Sequence, residues 1–313
     1  MRIQREFLKN RSGGCYLHIY NHITSEKTNH YPLADEIHQD KFFEICNDYL
    51  VKYNLEVIST VCMGNHFHML VYCPEEKLSL EEALMAYNAF HAHKKYPPKV
   101  DTDSYEAEHV QEHCNDISEY MREVQRTYSE WHNKICGFKR GGHLWQARFQ
   151  SQLIQSSAYL WACLRYIEMN PVRAGICPSA GEFSGSTFGR WCENGFHCFE
   201  EAFLEHIVSL ANDHDKVSMN DFKTYLTSEF ERLSYTDEMK KLMACGQKTE
   251  AEVLEELYRE HPEDKTINVE VAVFSVIDYH TKKFIGSKDF IDMEYKNWLA
   301  SRPPKRRKKT TRS

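Results

Sequence analysis

Apolar and polar positions change period several times along the chain, and each change marks an element. From Gly14 to Thr24 the run Gly-Cys-Tyr-Leu-His-Ile-Tyr-Asn-His-Ile-Thr is rich in aromatic and β-branched residues and predicts a strand. Between Pro32 and Tyr53, Leu33, Ile37, Phe42, Phe43, Ile45, Cys46, Tyr49 and Leu50 recur at helical spacing. Leu55 to Cys62 predicts a second strand. Gly64-Asn65 can make a tight connection into a third, Phe67 to Cys73, stopped by Pro74. Ser79 to Tyr96 predicts a helix, with Ser79 as its cap ahead of Glu81 and Glu82. Strand, helix, two strands, helix is an α+β order and predicts a small antiparallel sheet covered by helices.

Pro97-Pro98 closes that helix, and the acidic stretch at about 98–116 predicts a solvated insert. Helical spacing resumes from Ile117 to Asn133. Gly137 to Gln150 is a glycine-broken loop, 151–154 a short strand, and Ser157 to Met169 a helix ended by Pro171. After Gly181 the chain turns polar and aromatic, which places a domain boundary near Gly195. Residues 196–300 predict a mostly helical second domain, with several short helices over 199–261. Within it, Thr266 to Asp278 is strand-like and Gly286 to Phe290 turns into a last helix. Residues 301–313 predict a disordered basic tail. No internal repeat is evident.

Composition narrows the class. The 313 residues are 42% hydrophobic, enough for a core, and no run approaches the ~20 apolar residues that span a bilayer. The N-terminal ten residues lack the apolar segment of a secretory signal. Eleven cysteines without a C-x-x-C pair argue for reduced thiols in a cytoplasm, and against a disulfide framework or a zinc ribbon. The net charge of −7 is unevenly spread. Residues 197–300 carry 12 basic and 22 acidic groups, residues 98–116 one lysine and six acids, and residues 301–313 seven basic groups and no acid. Outside these stretches the chain is nearly neutral, so the sum does not exclude a nucleic-acid partner.

Candidate chemistry sits in two places. In Met63-Gly-Asn-His-Phe-His-Met-Leu-Val-Tyr72, strand alternation puts His66 and His68 on one face and Phe67 on the other. Two imidazoles side by side can ligate one divalent cation, or can simply belong to a polar face. Downstream, Tyr166 and Asn170 lie four apart on a helix and share a face. Taken alone, that pair reads first as a core aromatic with a C-cap. If the face lies over the histidine strand, two nitrogens and an amide oxygen suit Mg²⁺ or Mn²⁺, and the phenol becomes a candidate nucleophile toward a phosphate. Lys139, Arg140, Arg148, Arg165 and Arg173 surround these blocks as candidate phosphate contacts. Trp145 and Phe149 are candidates for base stacking or for core packing.

The segment His66-Phe-His68 resembles the HUH motif of single-tyrosine endonucleases. The blocks Leu144-Trp-Gln-Ala-Arg-Phe149 and Tyr166-Ile-Glu-Met-Asn-Pro-Val-Arg-Ala-Gly175 are similar to those of the REP-associated tyrosine transposases, within the single-tyrosine HUH transposase family. Ile285-Gly-Ser-Lys-Asp-Phe290 resembles a further block of longer members. The likeness runs fairly continuously over residues 1–195. Two features depart from it: Gly64 stands where relatives often have proline, and the acidic insert is unusual.

The resemblance implies a ferredoxin-like nuclease domain. It implies metal-dependent cutting and rejoining of single-stranded DNA near hairpins, leaving a 5′-phosphotyrosine and a free 3′-OH. It assigns His66, His68 and Asn170 to the metal and Tyr166 to the nucleophile, in a monomer or a homodimer. Two other expectations compete: a domesticated protein that binds hairpin repeats with little or no cleavage, and a hydrolase of small phosphoesters. The second leaves the Trp/Arg blocks and the basic tail unexplained.

Overall fold

The computed structural model describes residues 13–24, 31–137, 144–155, 158–209, 218–245 and 283–300, with isolated positions between 247 and 259. Its architecture is α+β, a mixed five-stranded sheet between helical layers. The elements in chain order are β1 (Cys15–His22), α1 (Glu36–Leu50), β2 (Glu56–Cys62), β3 (His66–Cys73), α2 (Leu80–His91), α3 (Ala107–Cys114), α4 (Ile117–Ile135), β4 (Gln150–Ile154), α5 (Ala158–Glu168), α6 (Asn170–Arg173), α7 (Thr187–Asn194), α8 (Glu200–Phe203), α9 (Met219–Ala244), β5 (Phe284–Ile285) and α10 (Lys288–Ala300). Strand order is β2-β3-β1-β4-β5. The first four strands are antiparallel in the ferredoxin-like arrangement, and β5 adds in parallel to β4.

Alternation along the strands sorts residues between two cores. Leu17 and Ile19 of β1, Phe67, Met69 and Val71 of β3, and Leu153 of β4 face α1 and α4. Leu70 of β3 and Ile154 of β4 face the other way, toward Leu160, Cys163, Leu164 and Ile167. The β2–β3 turn needs Gly64, whose φ of +78° is costly for any residue with a Cβ. Helix starts follow their caps. Asp35 accepts from Ile37 N–H at α1, and Ser79 and Glu82 form a capping box at α2.

The acidic stretch is more than a solvated insert. Ala107, Val110 and Cys114 recur at helical spacing on α3 and, with Val100 from the segment before it, close a small core with Ala83 and Leu84. Asn88 holds the segment through two hydrogen bonds to the Val100 backbone, at 2.9 and 3.1 Å. The helix expected to reach Met169 ends at Glu168. Pro171 instead occupies the first turn of α6, where its missing N–H costs nothing.

Over 199–261, the short helix α8 and a π-helical turn at Leu204–Val208 come first, and one 26-residue helix, α9, then spans 219–244. Its Phe222, Leu226, Phe230 and Leu233 pack into the same core as Ile58, Val61 and Leu70 of the sheet. The boundary expected near Gly195 falls on the left-handed C-cap of α7, and apolar packing runs across it. The turn at Gly286 holds α10 to the end of β4: Ser287 N–H donates to Gln155 Oε1 at 2.7 Å. A Cβ on Gly286 would meet Phe290 Cδ1 at 2.4 Å and the Gln155 side chain, so only glycine fits this close approach. The strand expected over 266–278, the basic tail, Lys139 and Arg140 lie outside the described residues.

Candidate active site

Register places the imidazoles. On the central pair of strands, His22 stands opposite His66 and Tyr20 opposite His68, so these four share the sheet face toward α5. His18 joins them from β1, with Gln152 of β4 opposite it on its other side. The rings form a cluster: His18 and His68 are stacked at 5.1 Å, His22 and His66 at 4.9 Å, and His66 and His68 meet edge to face at 5.1 Å. His18, His68 and Gln152 have no exposed surface, whereas His66 is partly open to solvent.

Burying so many polar groups is tolerable because they partner one another. His18 Nδ1 meets Gln152 Oε1 at 2.7 Å, and His18 Nε2 meets His68 Nδ1 at 2.9 Å. His66 Nδ1 meets Asn65 Oδ1 at 2.7 Å.

Helix α5 lays Tyr166 over this cluster. The phenol ring is 5.5 Å from the His68 ring and 5.8 Å from the His18 ring, edge to face with both. Burial pushes the Tyr166 pKa up, while a hydrogen bond with Asn170 and the nearby Arg173 cation push it down. Chemically, the arrangement brings a phenol over a cluster of imidazoles, with an amide one helical turn on and the Arg173 guanidinium nearby.

Glu168 anchors α5 from behind. It is fully buried, accepts from Ser59 Oγ at 2.7 Å and from Phe188 N–H at 3.1 Å, and so ties the Tyr166 helix to β2 and to the start of α7. Burial raises its pKa to about 7 against the pull of these hydrogen bonds and one from Ser186.

Other residues singled out in the sequence fall elsewhere. Phe149 is a core residue beneath α1 and α4, and Trp145 packs edge-on to Phe67 while its indole N–H donates to the Gln125 carbonyl at 3.0 Å. Both rings pack into the core on the side away from the histidines. Arg165 turns from the site to α9, where it pairs with Glu229 at 2.5 Å and lies over Trp161. Arg148 is exposed. Among the described residues, the one group of three or more His, Cys, Asp or Glu side chains able to close on a metal is Glu56, Glu205 and His206. It sits by Tyr72, at the other end of the same sheet face, where a 2.8 Å hydrogen bond between His206 Nε2 and Glu56 Oε2 accounts for two of its members.

His18, Tyr20, His22, Gln152 and Glu168 were not singled out from the sequence. The signal for the first three was present in the period-two series Tyr16, His18, Tyr20, His22 on β1. Gln152 and Glu168 carried none, since their partners come from distant strands.

No family model and no curated protein matches the chain. Among solved structures, that of a REP-associated tyrosine transposase bound to a REP hairpin is similar to it at 18% identity, with a TM-score of 0.34, over 60% of this chain and 86% of that one. So loose an overlap transfers no residue roles, and the site stands on its own geometry. No helix among the described residues is long and apolar enough to cross a membrane.

Proposed function

We propose that the chain is a metal-dependent endonuclease of single-stranded DNA that cuts and rejoins beside hairpins through a 5′-phosphotyrosine intermediate. One observation carries this: the Tyr166 ring lies 5.5 Å from His68 and 5.8 Å from His18, over the face that also presents His66. Preference for DNA and for hairpins is drawn from the three ordered motif blocks around His66, Trp145 and Tyr166.

His66, His68 and Asn170 are the residues that would hold the cation, and they suit it. Both imidazoles have Nδ1 engaged by a neighbour, which turns Nε2 to coordination. Two nitrogens and an amide oxygen form a donor set for Mg²⁺ or Mn²⁺ with positions left for phosphate oxygens. A cation bound there would supply Lewis-acid polarisation of the scissile phosphate.

Tyr166 Oη attacks phosphorus. An O–P bond to the phenol forms, the P–O3′ bond breaks, and the leaving 3′ oxygen takes up a proton to become a free 3′-OH. The phenol starts protonated, because burial disfavours its anion, and the Asn170 hydrogen bond and the Arg173 charge favour release of the proton. Arg173 beside the phenol and the exposed Arg148 serve as phosphate contacts. All these groups come from one chain, so a monomer carries a whole site.

The test is incubation of the full chain with labelled single-stranded hairpin oligonucleotides and Mn²⁺, resolved on a denaturing gel. A protein–DNA adduct that withstands denaturation is expected. Hairpin binding with no adduct under any metal condition would leave only a DNA-binding protein.

A further inference from the structure

Proton positions around the imidazole pair are set by what each Nδ1 touches. The Gln152 side-chain oxygen can only accept, so the hydrogen at 2.7 Å belongs to His18 Nδ1. Neutral His18 then has a lone pair on Nε2, and the 2.9 Å contact makes His68 Nδ1 the donor. His68 is left with its lone pair on Nε2. Likewise Asn65 Oδ1 accepts from His66 Nδ1 at 2.7 Å and leaves the His66 lone pair on Nε2. Three strands, β4, β1 and β3, contribute to the first chain, and its members His18, His68 and Gln152 have no exposed surface, so water cannot readily reverse its direction.

We infer that Gln152 and His18 are positioning residues: they hold His68 in the Nδ1–H tautomer and fix its ring plane, with Asn65 doing the same for His66, so that both Nε2 atoms are presented as ligands. The inference rests on the metal reading proposed above. It adds that a glutamine two strands away decides which nitrogen of His68 can coordinate. Such outer partners of a ligating histidine typically govern ~10–100-fold in metal affinity. Gln152 need not touch DNA or metal, and its loss leaves Tyr166, His66 and His68 in place.

Two measurements test it on the full chain. In metal-free protein, ¹⁵N NMR of the histidine rings is expected to show His68 and His66 as Nδ1–H tautomers. A His68 protonated on Nε2 in the native protein overturns the relay without any reference to metal. Mn²⁺ titration followed by EPR is expected to show about 10–100-fold weaker binding in Gln152→Leu. In Gln152→Glu, whose carboxylate also accepts from His18, affinity is expected to stay near that of the native chain. Equal weakening in both, or in neither, overturns the positioning role. Should the native chain bind no Mn²⁺ while its rings are Nδ1–H, the metal reading fails and the relay stands, so the two failures are separable.

Discussion

One face of the sheet, under α1 and α4, is lined by Leu17, Ile19, Phe67, Met69, Val71 and Leu153. The other face, from the alternate residues of the same strands, is apolar only around Leu70 and Ile154 and ends in His18, Tyr20, His22, His66, His68 and Gln152. The first face is buried and the second largely so, with His22 and His66 partly open to solvent, and the two are stabilised differently. The first excludes water from hydrocarbon, and the second offsets desolvation by hydrogen bonds among its own members. A period of two lets one strand supply both: His66 and His68 point one way and Phe67 and Met69 the other. A slip of one residue in β3 would exchange the faces, so the apolar side fixes the register in which the polar side can assemble.

The contrast can be broken by substitution on either side. The largest effect is expected from Tyr166→Phe, which should reduce the covalent adduct to background while hairpin binding and thermal midpoint stay close to those of the native chain; a persisting adduct would move the nucleophile elsewhere. Next comes Phe67→Ala on the apolar face. It should cost about 3–5 kcal/mol in urea unfolding through the cavity it leaves, and it should not alter metal affinity in the fraction that remains folded.

Third is a dependence on pH from Glu168, which locks the Tyr166 helix to the sheet. Its folded pKa of about 7 lies above the 4.5 of an ordinary glutamate. The folded state therefore keeps a proton that the unfolded chain releases. That contribution is full below pH 4.5 and is lost as the pH rises through 7, by up to about 3 kcal/mol. Glu168→Gln should flatten this part of the curve, read as urea midpoints between pH 5 and pH 8. An unchanged slope would mean that the carboxyl is already ionised at pH 5.

The smallest change in stability is expected from His66→Ala, one residue from Phe67 but on the polar face. It should cost about 1 kcal/mol, the worth of its hydrogen bond to Asn65. Metal-dependent adduct formation should be lost at the same time. If His66→Ala destabilises the chain as much as Phe67→Ala, the two faces do not differ in kind.

Much of the site was legible because its signals are local. The His66/His68 face follows from alternation, and the Tyr166/Asn170 pair from helical spacing. The cap at Ser79 and the turn at Gly64 follow from side-chain chemistry at single positions. The blocks around Trp145 and Phe149 were harder, because an aromatic beside an arginine reads alike in a core or on a DNA surface. Here Trp145 is fixed by Phe67 and the Gln125 carbonyl, and Phe149 is buried. Arg165 offered the same ambiguity until Glu229 came over it from α9. The acidic insert misled because its charges outnumber its apolar residues, although Val100, Ala107, Val110 and Cys114 alone suffice to seat it.

By itself the sequence determined the strands and helices of the first half, the side of β3 on which the histidines lie, and the helix that bears Tyr166. These depend on periodicity and on residues within one or two turns of each other. Only the tertiary structure decided that α5 crosses the histidine face, that Gln152 and His18 reach His68, that Glu168 seats between Ser59 and the Phe188 amide of α7, and that α9 closes the core. Each of these joins residues 20 or more positions apart, and such contacts are set by packing the apolar faces together, which no local pattern encodes.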